Sequence, residues 1–169
     1  NVFFSPLCRN LNKKELKQLA QTLIYDLSQL AGAKGGQTSF TDFNMYITVP
    51  QHYRNTYAMF EGGKFGCIEV SKDHGNMIKF FNTREEVKLF VEENKNYKVL
   101  TYADYEKDSQ RFLHAILEVS KEGDATGLPF AFPKINLHVN EDVFTINNEE
   151  NKEGLELLKK ASEASAKNG

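Results

Sequence analysis

Ala33-Lys34-Gly35-Gly36-Gln37-Thr38-Ser39-Phe40 and Glu122-Gly123-Asp124-Ala125-Thr126-Gly127-Leu128-Pro129-Phe130-Ala131-Phe132-Pro133-Lys134 decide the fold. Each takes the chain out of a long amphipathic helix, through a glycine turn and into an extended apolar run. Helix-turn-strand passages repeated in this way build α/β sheets and barrels. A barrel needing more strands than these would make the chain one segment of a larger enzyme. The ends suit that expectation: the chain opens on Asn1-Val2-Phe3-Phe4 without Met and closes on Lys167-Asn168-Gly169.

The helix before the first passage is expected over residues 13–31. Asn12 is a good N-cap, because its side chain accepts from a free N–H of the first turn. Leu16, Leu19, Leu23, Leu27 and Leu30 recur at three- and four-residue steps and form one apolar stripe. Gly32 supplies a stop, since a left-handed conformation costs Gly little. Residues 37–49 have strand composition, with apolar residues on both faces, as in a parallel strand covered by helices. Pro50 ends that run.

Residues 51–82 read as turn-rich, with short strands at 67–70 and 77–81. The segment 62–97 reads as an insertion or hairpin within a single unit spanning 1–169. Thr83-Arg84-Glu85-Glu86 is a capping box opening a short helix with Val87, Phe90 and Val91 on one side. Thr101-Tyr102-Ala103-Asp104 opens a longer one, reaching about residue 121, which buries Tyr105, Phe112, Ile116 and Val119 and is closed by Gly123. The second extended run covers 128–139. Pro129 and Pro133 remove ladder donors, which favours an edge or kinked strand. A last helix spans 151–166, with Leu155, Leu158 and Ala161 inward.

The composition bounds the function. The 169 residues suffice for one domain with a substantial core. A formal net charge of −2, without basic runs interleaved with aromatics, points away from nucleic acid and anionic membrane. No apolar stretch is long enough to span a membrane. Cys8 and Cys67 form no C-x-x-C pair and read as reduced thiols of a cytoplasmic protein. His52, His74, His114 and His138 have no metal-ligand spacing with either.

The candidate site residues each carry two readings. Gly35-Gly36-Gln37 is a phosphate cradle built of exposed N–H groups, or a tight helix-to-strand turn. Gln37 at the mouth of a buried strand needs partners, since an unpaired buried amide costs about 1–3 kcal/mol. Asp42 and Asn44 mark a ligand pocket, or a strand end facing water. Glu118, Glu122 and Asp124 form a carboxylate cluster for acid–base work, or a solvated helix end. His114 falls within a helix and satisfies a local bond. His138 lies on the second extended run and has no role without its neighbours.

Tyr25-Asp26-Leu27-Ser28-Gln29-Leu30-Ala31-Gly32 with the first glycine passage through Asn44, Leu100-Thr101-Tyr102-Ala103-Asp104-Tyr105, Leu117 to Gly127, and Pro129-Phe130-Ala131-Phe132-Pro133-Lys134 together resemble the large subunit of class III anaerobic ribonucleoside-triphosphate reductases, a glycyl-radical enzyme family. The segment 62–97 is outside this resemblance. The resemblance implies a ten-stranded α/β barrel. A glycyl radical generates a thiyl radical within it, which abstracts the 3′ hydrogen of a ribonucleoside triphosphate. The 2′ hydroxyl then leaves as water, and a reductant such as formate completes the reaction. It further implies a radical-SAM activating enzyme, ATP and deoxynucleotide effectors, a zinc site in a C-terminal region beyond this chain, and a homodimer.

The thiyl cysteine and the radical glycine are expected beyond Gly169, so this segment alone is expected to be inactive. Cys8 does not match the family's active-site loop. Gly35, Gly36, Gln37 and Asn44 are the expected substrate-binding residues, and Phe130, Phe132 and Pro133 position the second strand. The alternatives are a fragment of a formate-lyase-like glycyl-radical enzyme and a stand-alone, non-catalytic α/β binding module.

Overall fold

Leu16, Ala20 and Ile24 recur at four-residue steps and are buried. Their stripe drives the helix α2 (Lys13–Ala33) onto its neighbours. The computed structural model describes residues 1–33, 40–70, 78–147 and 149–168, the side chains of 29–33 and 168 excepted. In chain order, its principal elements are α1 (Ser5–Cys8), α2, β1 (Asp42–Tyr46), α3 (Gln51–Arg54), β2 (Phe65–Glu69), β3 (Ile78–Phe81), α4 (Arg84–Glu93) and β4 (Tyr97–Val99). They continue with α5 (Glu106–Glu122), β5 (Lys134–His138), β6 (Thr145–Ile146), β7 (Glu149–Glu150) and α6 (Lys152–Asn168).

The two glycine passages end in strands that lie side by side. β1 and β5 pair in parallel, Asp42 opposite Lys134 and Tyr46 opposite His138. Among the described residues they form a sheet of two, so each has one unpaired edge. Phe43, Met45, Ile135 and Leu137 point to one face and join the core built by α2, α5 and α6. Phe112, Leu113 and Ile116 of α5 lie at its centre, each at most 1 % exposed. Burial of such a side chain stabilises by about 1.5–3 kcal/mol.

A second cluster joins Val2, Val49, Ala58, Phe60, Leu100, Tyr102 and Tyr105. It lies under an antiparallel sheet of order β3-β2-β4. This sheet contains the expected hairpin, moved to Phe65–Glu69 and Ile78–Phe81, and gains Tyr97–Val99 as a third strand.

Two of the three expected helix starts are capped as the sequence predicts, and the third only in part. Asn12 Oδ1 accepts from the N–H groups of Lys14 and Glu15, and Glu15 returns a bond to the Asn12 N–H. Thr101 and Asp104 form a reciprocal box. It opens a 3₁₀ turn, Tyr102–Tyr105, before α5 begins. At α4, Thr83 Oγ1 accepts from the Glu86 N–H, but the Glu86 carboxylate takes the N–H of Asn82 rather than that of Thr83. Gly123 closes α5 at φ +82° and ψ −168°, a region only glycine enters cheaply.

Other expectations are corrected. Gly32 does not stop α2, which continues through Ala33. Leu19 is 37 % exposed, because Ala20 rather than a leucine meets the core there. The first strand is shorter than 37–49 and is covered on one face only. Ile47 and Val49 are buried past its end, with backbone groups taken by α5: Gln110 Nε2 donates to the Ile47 carbonyl, and the Val49 N–H donates to Glu106. The second strand begins only at Lys134, after a loop that Asp124 organises by accepting from the N–H groups of Thr126 and Leu128. In α6 the most buried leucine is Leu157, while Leu158 and Ala161 flank it.

Candidate functional site

Strand side chains alternate, so the β1–β5 sheet has a second face. It carries Asp42, Asn44 and Tyr46 from β1, opposite Lys134, Asn136 and His138 from β5. Tyr46 is half-buried and the other five are exposed. Asp and Asn are depleted in strands, where β-branched and aromatic residues fit the pleat better. Three of these six positions therefore work against local strand preference. Such conflicts concentrate where a surface is kept for binding or chemistry.

The polar side chains are organised at the ends of the strands that carry Tyr46 and His138. His138 Nε2 lies 3.1 Å from Asn44 Oδ1. An amide oxygen only accepts, so the imidazole donates from Nε2. The ring stacks on Tyr46, with centroids 4.5 Å apart and planes 17° from parallel. Tyr46 is itself held: the Asn1 carboxamide accepts from its N–H at 3.0 Å and donates to its carbonyl at 2.8 Å. Just past the strands, the Thr48 hydroxyl donates to Asn140 Oδ1 at 2.8 Å. At the opposite end of the face, the Lys134 ammonium lies 5.8 Å from the centre of the Phe132 ring.

The expected site residues fare differently. Asn44 stands on the open polar face and orients His138. Gly35, Gly36 and Gln37 lie outside the described residues. The sequence had isolated His138 without a partner. The missing signal was the register, which makes residues 94 positions apart into neighbours.

The carboxylates near the second glycine passage belong elsewhere. Lys17 of α2 ion-pairs with Glu122 and lies 3.8 Å from Glu118. Asp124 serves its own loop. Glu118 Oε2 is 3.9 Å from His114 Nδ1, beyond hydrogen-bond length. Burial, with Lys160 and Lys13 nearby, lowers the His114 pKa against the opposing pull of Glu118 and Glu156.

Both cysteines are buried free thiols. Burial pushes the Cys8 thiol up to about 11, with Asp108 adding to the effect. A thiol held in that range is a poor nucleophile at neutral pH. Among the described residues no three His, Cys, Asp or Glu side chains gather to hold a metal ion. No helix among them is long and apolar enough to cross a membrane.

Helices on one side of a parallel strand pair, with an exposed polar face on the other, define an α/β protein. The family model for anaerobic ribonucleoside-triphosphate reductase matches residues 1–169, and the chain belongs to that family. The comparisons with curated proteins and with solved structures give no match.

Proposed function

We propose that this chain is a wall of the catalytic barrel of an anaerobic ribonucleoside-triphosphate reductase. In that reading the enzyme reduces ribonucleoside triphosphates to deoxyribonucleoside triphosphates by glycyl and thiyl radical chemistry, for DNA synthesis in the cytoplasm. The observation that carries it is the two-faced β1–β5 pair. Its apolar face is covered by α2, α5 and α6, and its polar face is left open. A barrel that holds a polar substrate needs helices outside and hydrogen-bonding side chains inside.

The outer edges of the two strands, unpaired among the described residues, favour the same reading, because closure removes sheet edges. Along β5 and α6 runs a groove of about 800 Å³, lined by Phe130, Pro133, Ile135, Leu158 and Ala161 among others. A further strand of the barrel would find its apolar neighbours there.

The chain's own part is positional. Its polar face would hold the nucleotide, its helices would exclude water from the radicals, and Gly35-Gly36-Gln37 would shape the entrance to β1. The thiyl cysteine, the radical glycine, the zinc cysteines and the effector sites would be supplied by the rest of the polypeptide. The radical would be installed by a radical-SAM activating enzyme, and the complete protein would be a homodimer.

The test is anaerobic incubation of the complete protein with its activating enzyme, S-adenosylmethionine, a reductant and a ribonucleoside triphosphate. A glycyl-radical signal with deoxyribonucleotide product is expected. A radical without that product would refute the assignment.

A further inference from the structure

We propose that His138 contacts the ribose of the substrate through Nδ1, and that Asn44 is the positioning residue that makes this possible. The proposal rests on the reading of the polar sheet face as a substrate-facing wall. Three constraints hold the imidazole. Its strand is in register with β1, its ring lies on Tyr46 at 4.5 Å, and its Nε2 is 3.1 Å from Asn44 Oδ1. With the proton on Nε2, the neutral ring carries its lone pair on Nδ1. An acceptor there suits a hydroxyl donor and repels a phosphate oxygen, which is itself an acceptor.

The surroundings of the ring suit a sugar in the same way. The polar groups that contact His138 or flank it are uncharged: Asn44 and Tyr46 on the face, Thr48 and Asn140 just beyond the strand ends, where Asn140 donates onward to Asp142. Neutral donors and acceptors match a polyol. The charged groups of the face, Lys134 and the Asp42 opposite it, stand at the far end, four residues earlier on the strands, roughly 13 Å away at strand rise. The nucleotide would lie with its ribose hydroxyls at His138.

Stability gives no competing reason for the arrangement. Asn44 and His138 are both exposed, and a hydrogen bond between exposed side chains adds little to folding. What the bond does is orient a ring.

The experiment uses the complete reductase and compares wild type with H138A, H138N and N44A. Glycyl-radical content by electron paramagnetic resonance reports on folding and activation, and steady-state kinetics report on the substrate. H138A is expected to raise KM about tenfold, the size of one hydrogen bond, with kcat changed less and the radical signal intact. H138N places a carboxamide near the former Nδ1 position and is expected to recover part of the loss. N44A leaves the ring stacked but its tautomer free, and is expected to fall between H138A and wild type.

A KM for H138A within twofold of wild type at full radical content would overturn the proposal. So would an H138N enzyme no better than H138A. Wild-type protein that forms the radical but makes no deoxyribonucleotide would instead overturn the reading beneath it.

Discussion

Tyr46 and His138 oppose each other across the parallel β1–β5 ladder and stack at 4.5 Å, while Asn44, two residues earlier on β1, bonds the same imidazole. One strand thus supplies both the platform and the hydrogen bond for a ring on its neighbour. Aromatic pairs of this kind contribute about 0.5–1.5 kcal/mol beyond area burial. Tyr46→Phe keeps the stack and is expected to leave KM and thermal stability near wild type. Tyr46→Ala removes the platform, and both a lower Tm and a higher KM are expected. Kinetics and thermal unfolding of the complete protein check the pair. An unchanged KM in Tyr46→Ala would show that the stack does not position the imidazole.

Cys8 is the chain's test of what a buried thiol does. It is fully buried, and its pKa is pushed up to about 11, chiefly by burial. A catalytic or radical-relay thiol needs access to its substrate, and this one lies inside the core beside α5. Cys8→Ala is therefore expected to keep radical formation and turnover, at a stability cost of about 1 kcal/mol for the lost packing. Native Cys8 should resist alkylation at neutral pH until the protein unfolds. Rapid labelling of the folded protein at Cys8, followed by mass spectrometry, would contradict its placement.

The helices were legible because their apolar period matches their burial. Phe112, Ile116 and Val119 are all inside, as the spacing on α5 requires, and so is Tyr105 in the turn before it. The strand limits were not. Ile47 and Val49 have strand composition and are buried, yet Gln110 and Glu106 of α5 claim their backbone groups and end the ladder at Tyr46. Local composition cannot report a competitor some 60 residues away. The candidate site was half legible. Asn44 stood out as a polar residue in a strand, and His138 stood out alone. Their contact depends on parallel pairing in one particular register, and a shift of either strand by one residue would turn one of the two to the opposite face.

Gly123 joins α5 to the loop that leads into β5. Its φ of +82° with ψ of −168° excludes ordinary side chains, and an added Cβ would meet the Leu128 carbonyl oxygen at 2.6 Å. Gly62 also has positive φ, at +72°, but nothing lies within 4 Å of its would-be Cβ. Gly123→Ala is expected to destabilise by about 1–3 kcal/mol or more, since conformational strain and a backbone clash combine. Gly62→Ala meets strain alone and is expected to cost about 1 kcal/mol. Denaturant titration of the two variants measures the difference, and equal losses would contradict the geometry at Gly123.

His114 should contribute to acid sensitivity. Its pKa is lowered in the folded protein, first by burial and then by Lys160 and Lys13, with Glu118 and Glu156 opposing. The unfolded chain then binds the proton more readily than the folded one. Stability is therefore lost as pH falls through the ordinary imidazole range near 6.5, and the loss levels off below the folded pKa. His114→Gln removes this contribution. The Tm difference between about pH 7.5 and pH 5.5 is expected to be smaller in the variant than in wild type. A larger difference in the variant would mean that the ion pairing with Glu118 outweighs burial.

Closure of the sheet can be read from hydrogen exchange. The Lys134 N–H donates to the Thr41 carbonyl, so it points toward β1. Strand alternation then turns the N–H groups of Ile135 and Leu137 away from β1, toward the groove beside α6. Among the described residues no strand receives those two amides, and in the chain alone fast exchange is expected despite their half-buried side chains. In the complete reductase the next strand of a barrel would accept both bonds, and exchange should slow by orders of magnitude, toward the protection of core strands. The Lys134 amide, already bonded, should change far less between the two. If Ile135 and Leu137 exchange as quickly in the complete protein as in the isolated chain, β5 is an outer edge, and this sheet does not continue into a barrel on that side.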